Sequence, residues 1–192
     1  MTSVTIIGTG SMAQAIGGLL ADGGSSVAYV SHDEVGRAPI TGEVVVLAVP
    51  YPAINGIVDA YRDQLGGKVV VDISNPLDFA TFDSLVVPVG SSAAAELQTS
   101  LPDSSVLKAF NTTFAGTLVA KAVGPVQTTV LIAGDDSAAK KTLAAAVEAG
   151  GVAAIDAGSL ARAHELEAIG FLQLTLAVGE KLPWTGGFAV IR

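Results

Sequence analysis

The stretch VTIIGTGSMAQAIGG, residues 4–18, leaves the chain little choice of local fold. Four apolar or β-branched positions run without a break into Gly8-Thr9-Gly10, and helical spacing begins at once. A buried strand, a glycine turn and a helix in immediate succession make a βα unit. In such a unit the first glycine makes the tight turn, and the second lets an anion approach the backbone. The third position must be small for the helix to pack on its strand. Here those positions are Gly8, Gly10 and Ala13. The loop amides from Thr9 to Met12 would face an anion from the positive end of the helix, without help from Lys or Arg. A G-x-G-x-x-A pattern alone is weak in a chain with 22 glycines. A strand before it and a helix after it turn it into a dinucleotide-binding expectation.

Further along, β-branched runs alternate with helical stretches. Strands are expected over residues 4–7, 27–30, 44–49, 68–73, 106–110, 128–133 and 151–155, with 85–89 a short strand or merely extended. Helices are expected over residues 11–21, 53–65, 92–98, 113–122, 137–149 and 160–178. Continuous runs such as VVVLAV and KVVVDI mark strands covered on both faces, as in a parallel sheet. Residues 31–43 carry Gly36, Pro39 and Gly42, so a regular crossover helix is not expected there. The pattern predicts an α/β fold, a doubly wound, mostly parallel sheet with right-handed crossovers. The tail from 179 onward reads as irregular.

A net charge of −8 argues against nucleic acid or an anionic membrane as partner, because both require a basic face. The absence of cysteine excludes disulfides, thiolate metal sites and a cysteine nucleophile. The two histidines, His32 and His164, are too far apart in sequence to suggest a metal cluster, so no metal is expected. No apolar run approaches the roughly 18 residues of a membrane span. The first strand begins too early to leave room for a signal peptide. A soluble, cytoplasmic chain is the expectation.

The end of the second strand reads the ribose in folds of this kind. NAD-binding chains place an acid about 20 residues past the loop, to accept the 2′-hydroxyl. Here the strand ends Val30-Ser31-His32, with no acid at the expected point. Ser31 can donate to a 2′-phosphate, His32 can do so as imidazolium, and Arg37 is within reach along the chain. Asp33 and Glu34 would oppose a phosphate if they turned inward. NADP is therefore favoured over NAD, with an exposed loop histidine as the alternative for His32. At the ends of the next strands, Val49 and Pro50 would wall the ribose or nicotinamide, and Ser74, Asn75 and Pro76 would supply polar groups. The alternative is that both prolines only terminate strands.

The segments IIGTGSMAQAIG, VVLAVPY, VVVDISNPLDF, GSSAAAELQ, VLKAFNTTFA, TVLIAGDD and DAGSLARAHELEAIGF together cover nearly the whole chain. In this order they resemble the coenzyme F420-dependent NADP oxidoreductases and their bacterial relatives. They are also similar to the reductase domains of the STEAP metalloreductases. The resemblance implies an NAD(P)-binding Rossmann core over 1–124. It implies a C-terminal α/β portion over 125–192 that completes the acceptor pocket and contributes to a homodimer interface. Thr9, Gly10, Ser11 and Met12 match the phosphate loop, and Ser31 matches the serine at the 2′-phosphate. His32 stands where the family often has arginine. Asn111 occupies the position beside the nicotinamide, where archaeal members have histidine and the bacterial and STEAP-type members have asparagine. The opening also resembles pyrroline-5-carboxylate reductase, but that family continues into an all-helical domain, whereas strands recur here at 128–133 and 151–155.

The implied activity is hydride transfer between NADP(H) and F420 or a flavin-like small-molecule acceptor. Such chemistry needs two rings held face to face and no side-chain base. Asn111 and Thr112 are the candidates for orienting a ring, with Phe110 packed beneath. The lack of a side-chain catalyst leaves a second reading, an NADP-binding sensor or partner-binding module without turnover. His164 is expected on the exposed side of the last helix. Trp184 is expected either to cap the acceptor pocket or to fill a dimer interface.

Overall fold

The computed structural model describes residues 1–191. Its order is β1 (Ser3–Ile7), α1 (Ser11–Asp22), β2 (Ser26–Val30), β3 (Val44–Leu47), α2 (Ile54–Leu65), β4 (Val69–Asp72) and α3 (Ala93–Ser100). There follow β5 (Ser105–Ala109), α4 (Ala115–Ala120), β6 (Ala122–Val123), β7 (Val126–Gln127), β8 (Thr129–Gly134), α5 (Ser137–Ala149), β9 (Ala153–Gly158) and α6 (Ala163–Val178). Seven strands form one sheet in the order β2-β1-β3-β4-β5-β8-β9, an α/β doubly wound arrangement. The order reverses between β1 and β3. That is the switch point where neighbouring loops part and a crevice opens over the carboxyl ends of the strands.

The sheet is parallel except where β8 runs antiparallel to β5. The chain between them holds a short helix and a hairpin. A helix expected over 113–122 is only six residues long, and it ends at Lys121 with φ +56°. The hairpin β6–β7 then turns the chain at Gly124, φ +57°. After this hairpin the chain enters β8 against the direction of β5. Residues 85–89 form no ladder; Leu85 makes one isolated bridge, with Leu77. Residues 31–43 hold only a 3₁₀ turn, His32–Glu34, as their glycines and proline lead one to expect.

Both faces of the sheet are covered. One side packs Val4, Ile6, Val44, Val46 and Val71 against α1 and α5. The other packs Ile7, Val45, Leu47 and Val70 against α2 and α3. Alternate residues of one strand thus serve opposite cores, which is why the strands read as unbroken apolar runs. No described helix is long and apolar enough to cross a membrane.

Three charged side chains interrupt this apolar interior. Asp72 and Lys108 are register partners on β4 and β5, and Glu167 reaches them from α6; all three side chains are fully buried. Lys108 Nζ lies 2.8 Å from an Asp72 oxygen and 2.8 Å from a Glu167 oxygen, and it donates to the Ser74 carbonyl at 2.6 Å. Glu167 also accepts the Ala93 amide at the start of α3, at 3.0 Å. Burial pushes the Glu167 carboxyl above its usual range, while Lys108 pulls it back. Its ionisation in the fold therefore costs stability progressively as pH rises above the ordinary value of 4.5, and more so without the lysine. Replacing Lys108 with Met should destabilise the protein by about 3–5 kcal/mol near neutral pH, because two buried carboxylates lose their cation. Urea unfolding at a series of pH values should show the difference from wild type narrowing as the medium is acidified.

Candidate functional site

The crevice begins at the glycine loop. Gly8 adopts φ +121°, and a Cβ there would stand 2.3 Å from the Ala48 carbonyl oxygen, so β1 and the end of β3 can meet only at glycine. Its amide donates to the Val30 carbonyl at 2.9 Å, which ties the loop to the end of β2. Gly10 is different: a Cβ there would meet nothing within 4 Å. No protein neighbour requires glycine at that point, and the space beside it is the open crevice. Gly10 is also the N-cap of α1, whose first turn has neither a capping side chain nor an acidic residue. Helix amides left without a cap at an open cleft suit a pyrophosphate. Ala13 is buried and lets α1 lie close on the sheet.

Three connected spaces follow. The first, about 280 Å³, is bounded by Gly8, Thr9, Gly10, Val30, His32 and Val49. The second, about 300 Å³, shares Gly10, Val49 and Pro50 with the first and adds Ser11, Met12, Ser74 and Asn75. The third, about 340 Å³, shares Ser11, Met12 and Asn75 with the second and is walled by Phe110, Phe114 and Trp184. The Trp184 and Phe114 rings lie 4.9 Å apart, so the tail contributes an aromatic wall. None of the side chains lining this last chamber is charged.

Asn111 is held firmly. Its Nδ2 donates to Asn75 Oδ1 at 3.0 Å and to the Leu166 carbonyl at 2.8 Å, and Asn75 Nδ2 donates to the Asn111 carbonyl at 3.1 Å. The Asn111 amide oxygen, an acceptor, and the Ser74 hydroxyl, a donor and acceptor, are buried without a hydrogen-bond partner. The close approach of α6 depends on Gly170, where a Cβ would fall 2.1 Å from Asn75 Oδ1 and 2.9 Å from Asn111 Nδ2. Phe110, just before Asn111, is fully buried at φ +63°, a costly conformation for a bulky residue. Its carbonyl accepts both the amide and the hydroxyl of Thr113, at 3.0 and 2.7 Å.

Most of the expected site residues meet along one crevice, but not all. Thr112 is buried and does not line the third chamber; Thr113 does. Pro76 is buried, and its carbonyl accepts the Val86 amide at 2.7 Å, outside the lining. His164 is half-buried rather than exposed, its Nδ1 2.9 Å from the Ser91 carbonyl, and it does not line the crevice. His32 lines the first space. Ser31 spends both its amide and its hydroxyl on one Glu34 carboxylate oxygen, at 2.9 and 2.6 Å. Arg37 donates to the Asp33 carbonyl.

Sequence reading missed several contributors. Tyr51 lines the middle space, and its hydroxyl donates to Glu96 at 2.5 Å; burial first, and then the Glu96 bond, push that hydroxyl up to about 12. The Asp72–Lys108–Glu167 group lies beneath Ser74, whose carbonyl Lys108 holds. A charge at the end of one apolar run, VVVD, and another inside its neighbour, VLKAF, are the sequence trace of it. Among the described residues no group of three or more His, Cys, Asp or Glu side chains could hold a metal ion.

No family model matches the chain. Among curated proteins it is 34% identical over 149 residues to the F420-dependent NADP reductase of Methanocaldococcus jannaschii, a match covering 76% of this chain and 66% of that protein. It is 36% identical over 146 residues to the metalloreductase STEAP3 of Rattus norvegicus, covering 75% of this chain but only 28% of that much longer protein. Among solved structures, a candidate F420-dependent NADP reductase from Arthrobacter sp. FB24 superposes with a TM-score of 0.85 at 26% identity, each chain covered in full. On this likeness of sequence, sheet and length, the chain belongs to the F420-dependent NADP reductase family.

Proposed function

We propose that this chain is an NADP-dependent oxidoreductase that transfers hydride between NADP(H) and a small-molecule acceptor, F420 or a flavin-like ring. The observation that carries this reading is the continuity of the crevice, from uncapped helix amides at one end to an uncharged aromatic chamber at the other. The archaeal and Arthrobacter relatives, both named as F420-dependent NADP reductases, support the same donor and acceptor.

When bound, the dinucleotide supplies the hydride from its nicotinamide ring. The amides at the start of α1 would take the pyrophosphate, and Val49 and Pro50 would wall the ribose. Asn111, locked through Asn75 and Leu166, fixes the floor where two rings would meet, with Ser74 and Thr113 as further polar groups. Phe110, Phe114 and Trp184 exclude water from the transfer path, which suppresses loss of hydride to solvent. No titratable side chain among the described residues lines the third chamber, so hydride transfer there would proceed without a side-chain acid or base. The proton that balances reduction of a deazaflavin or flavin would come from water outside the transfer path.

In this reading residues 1–124 form the dinucleotide-binding core, and 125–192 complete the acceptor chamber through Trp184. The protein acts in the cytoplasm as a homodimer. The exposed apolar side chains of α6, Ile169, Leu172 and Val178, support a partner surface there.

Steady-state oxidation of NADPH should be stimulated by F420 or FMN, with ferric chelates as a third acceptor to compare. Nucleotide binding without any acceptor-dependent rate would overturn the reading in favour of a sensor. Asn111→Ala should lower kcat by about a hundredfold, the size of effect expected from a ring misplaced by about an ångström. Gly170→Ala should drive Asn75 away from Asn111, lower kcat in the same direction and cost about 1–3 kcal/mol of stability, read by urea unfolding.

A further inference from the structure

The end of β2 holds an acid that spacing alone does not reveal. The 3₁₀ turn His32–Glu34 folds the chain back, and Glu34 Oε2 receives both the amide and the hydroxyl of Ser31. The Glu34 backbone is itself anchored. Its carbonyl accepts the Arg37 and Ala38 amides at 2.9 Å each, and the hydroxyl of buried Tyr61 at 3.3 Å. The Ser31 bonds hold the Glu34 carboxyl below its usual range, so it is ionised at neutral pH. Ser31 follows Val30, whose carbonyl is bonded to the glycine loop, and His32 and Val35 line the same end of the crevice. The carboxylate therefore stands just beyond the end of β2, beside the first space though not among the residues that line it.

Two ribose chemistries respond to it in opposite ways. A 2′-hydroxyl donates to a carboxylate, the arrangement that suits NAD. A 2′-phosphate can take the Ser31 hydroxyl only by breaking that hydroxyl's bond to Glu34, and it then faces a like charge. Arg37, the cation of this segment, donates to the Asp33 carbonyl, and its charge helps to hold the Glu34 carboxyl ionised.

Granting that the crevice holds a dinucleotide, we propose that Glu34 is a specificity-determining residue. It withholds Ser31 from a ribose 2′-phosphate and accepts a ribose 2′-hydroxyl, so that this chain takes NAD(H) alongside NADP(H). The discrimination is a local charge effect at an exposed site. It is limited by water and ions, and its expected size is about tenfold in affinity.

The test uses the full chain and probes of the adenosine end alone, 2′,5′-ADP and 5′-AMP, with NADPH and NADH in parallel, by calorimetry at fixed pH and low salt. Glu34→Gln and Glu34→Ala should each bind 2′,5′-ADP and NADPH about tenfold more tightly than wild type. Binding of 5′-AMP and NADH should weaken in Glu34→Ala, and unchanged binding there would overturn the claim that the carboxylate accepts a 2′-hydroxyl. Wild type should bind NADH within about tenfold of NADPH. Asp33→Asn, which removes a neighbouring charge that makes no bond to Ser31, should give a clearly smaller gain. Unchanged or weaker 2′,5′-ADP binding in both Glu34 variants would overturn the proposal, as would an equal gain from Asp33→Asn. So would wild-type binding of neither dinucleotide. Thermal unfolding of each variant guards against loss of fold, and the glutamine variant retains an acceptor for Ser31. A shift in 2′,5′-ADP binding without acceptor-dependent turnover would support this role of Glu34 and sink only the hydride-transfer reading.

Discussion

The buried contact of Lys108 with Asp72, Glu167 and the Ser74 carbonyl is the constraint on which the site depends. It joins β4, β5, α6 and, through Glu167, the amide at the start of α3. Each of the ammonium's three hydrogens has an acceptor, which is what makes such a group tolerable in an apolar interior. An ion cluster of this kind is a poor source of net stability, since hydrophobic replacement often does as well. What it provides is position. The strand ends that carry Ser74, Asn75 and Asn111 are fixed relative to α6, and α6 supplies both the Leu166 carbonyl and the Gly170 approach.

The crevice follows from that placement. At the nucleotide end, the shape is made by backbone: a glycine with φ +121° under the loop, a second glycine facing open space, and a helix start without a cap. At the chamber end, the shape is made by side chains distant in sequence, including Trp184 from the tail and Phe114 from the segment after β5. Phe110 takes a costly backbone conformation there, held by full burial and by Thr113. Strain of this sort is stable only when the surroundings over-determine it. The clustered polar bonds at Asn111 supply that support.

How much could be read beforehand differs along the crevice. Gly8, Gly10, Ser11, Met12, Val49, Ser74, Asn75 and Asn111 were all legible, because each sits at the carboxyl end of a strand or in the first helical turn, and strand ends in a doubly wound sheet face one cleft. Thr112 and Thr113 could not be separated, since the turn after Phe110 decides which one faces the chamber, and its positive φ has no sequence mark. His164 looked exposed from helical spacing, but the loop that carries Ser91 packs beside it. The antiparallel β8 was hidden because the connection from β5 is long enough, and helical enough, for an ordinary parallel crossover, and Gly124 and Pro125 also suit an ordinary loop.

By itself the sequence determined what is local: the βα unit around the glycine loop, the alternation of buried strands and helices, and so a doubly wound sheet with an anion cradle at its switch point. Those features rest on periodicity, β-branching and glycine stereochemistry, which act over a few residues. Only the tertiary structure decided which charges meet. Asp72, Lys108 and Glu167 are up to 95 residues apart in the chain and share one buried contact. Glu34, three residues from Ser31, turns back onto it through a 3₁₀ turn anchored by Tyr61. Charge–charge contact depends on distances of a few ångströms, and such distances are set by packing rather than by spacing along the chain.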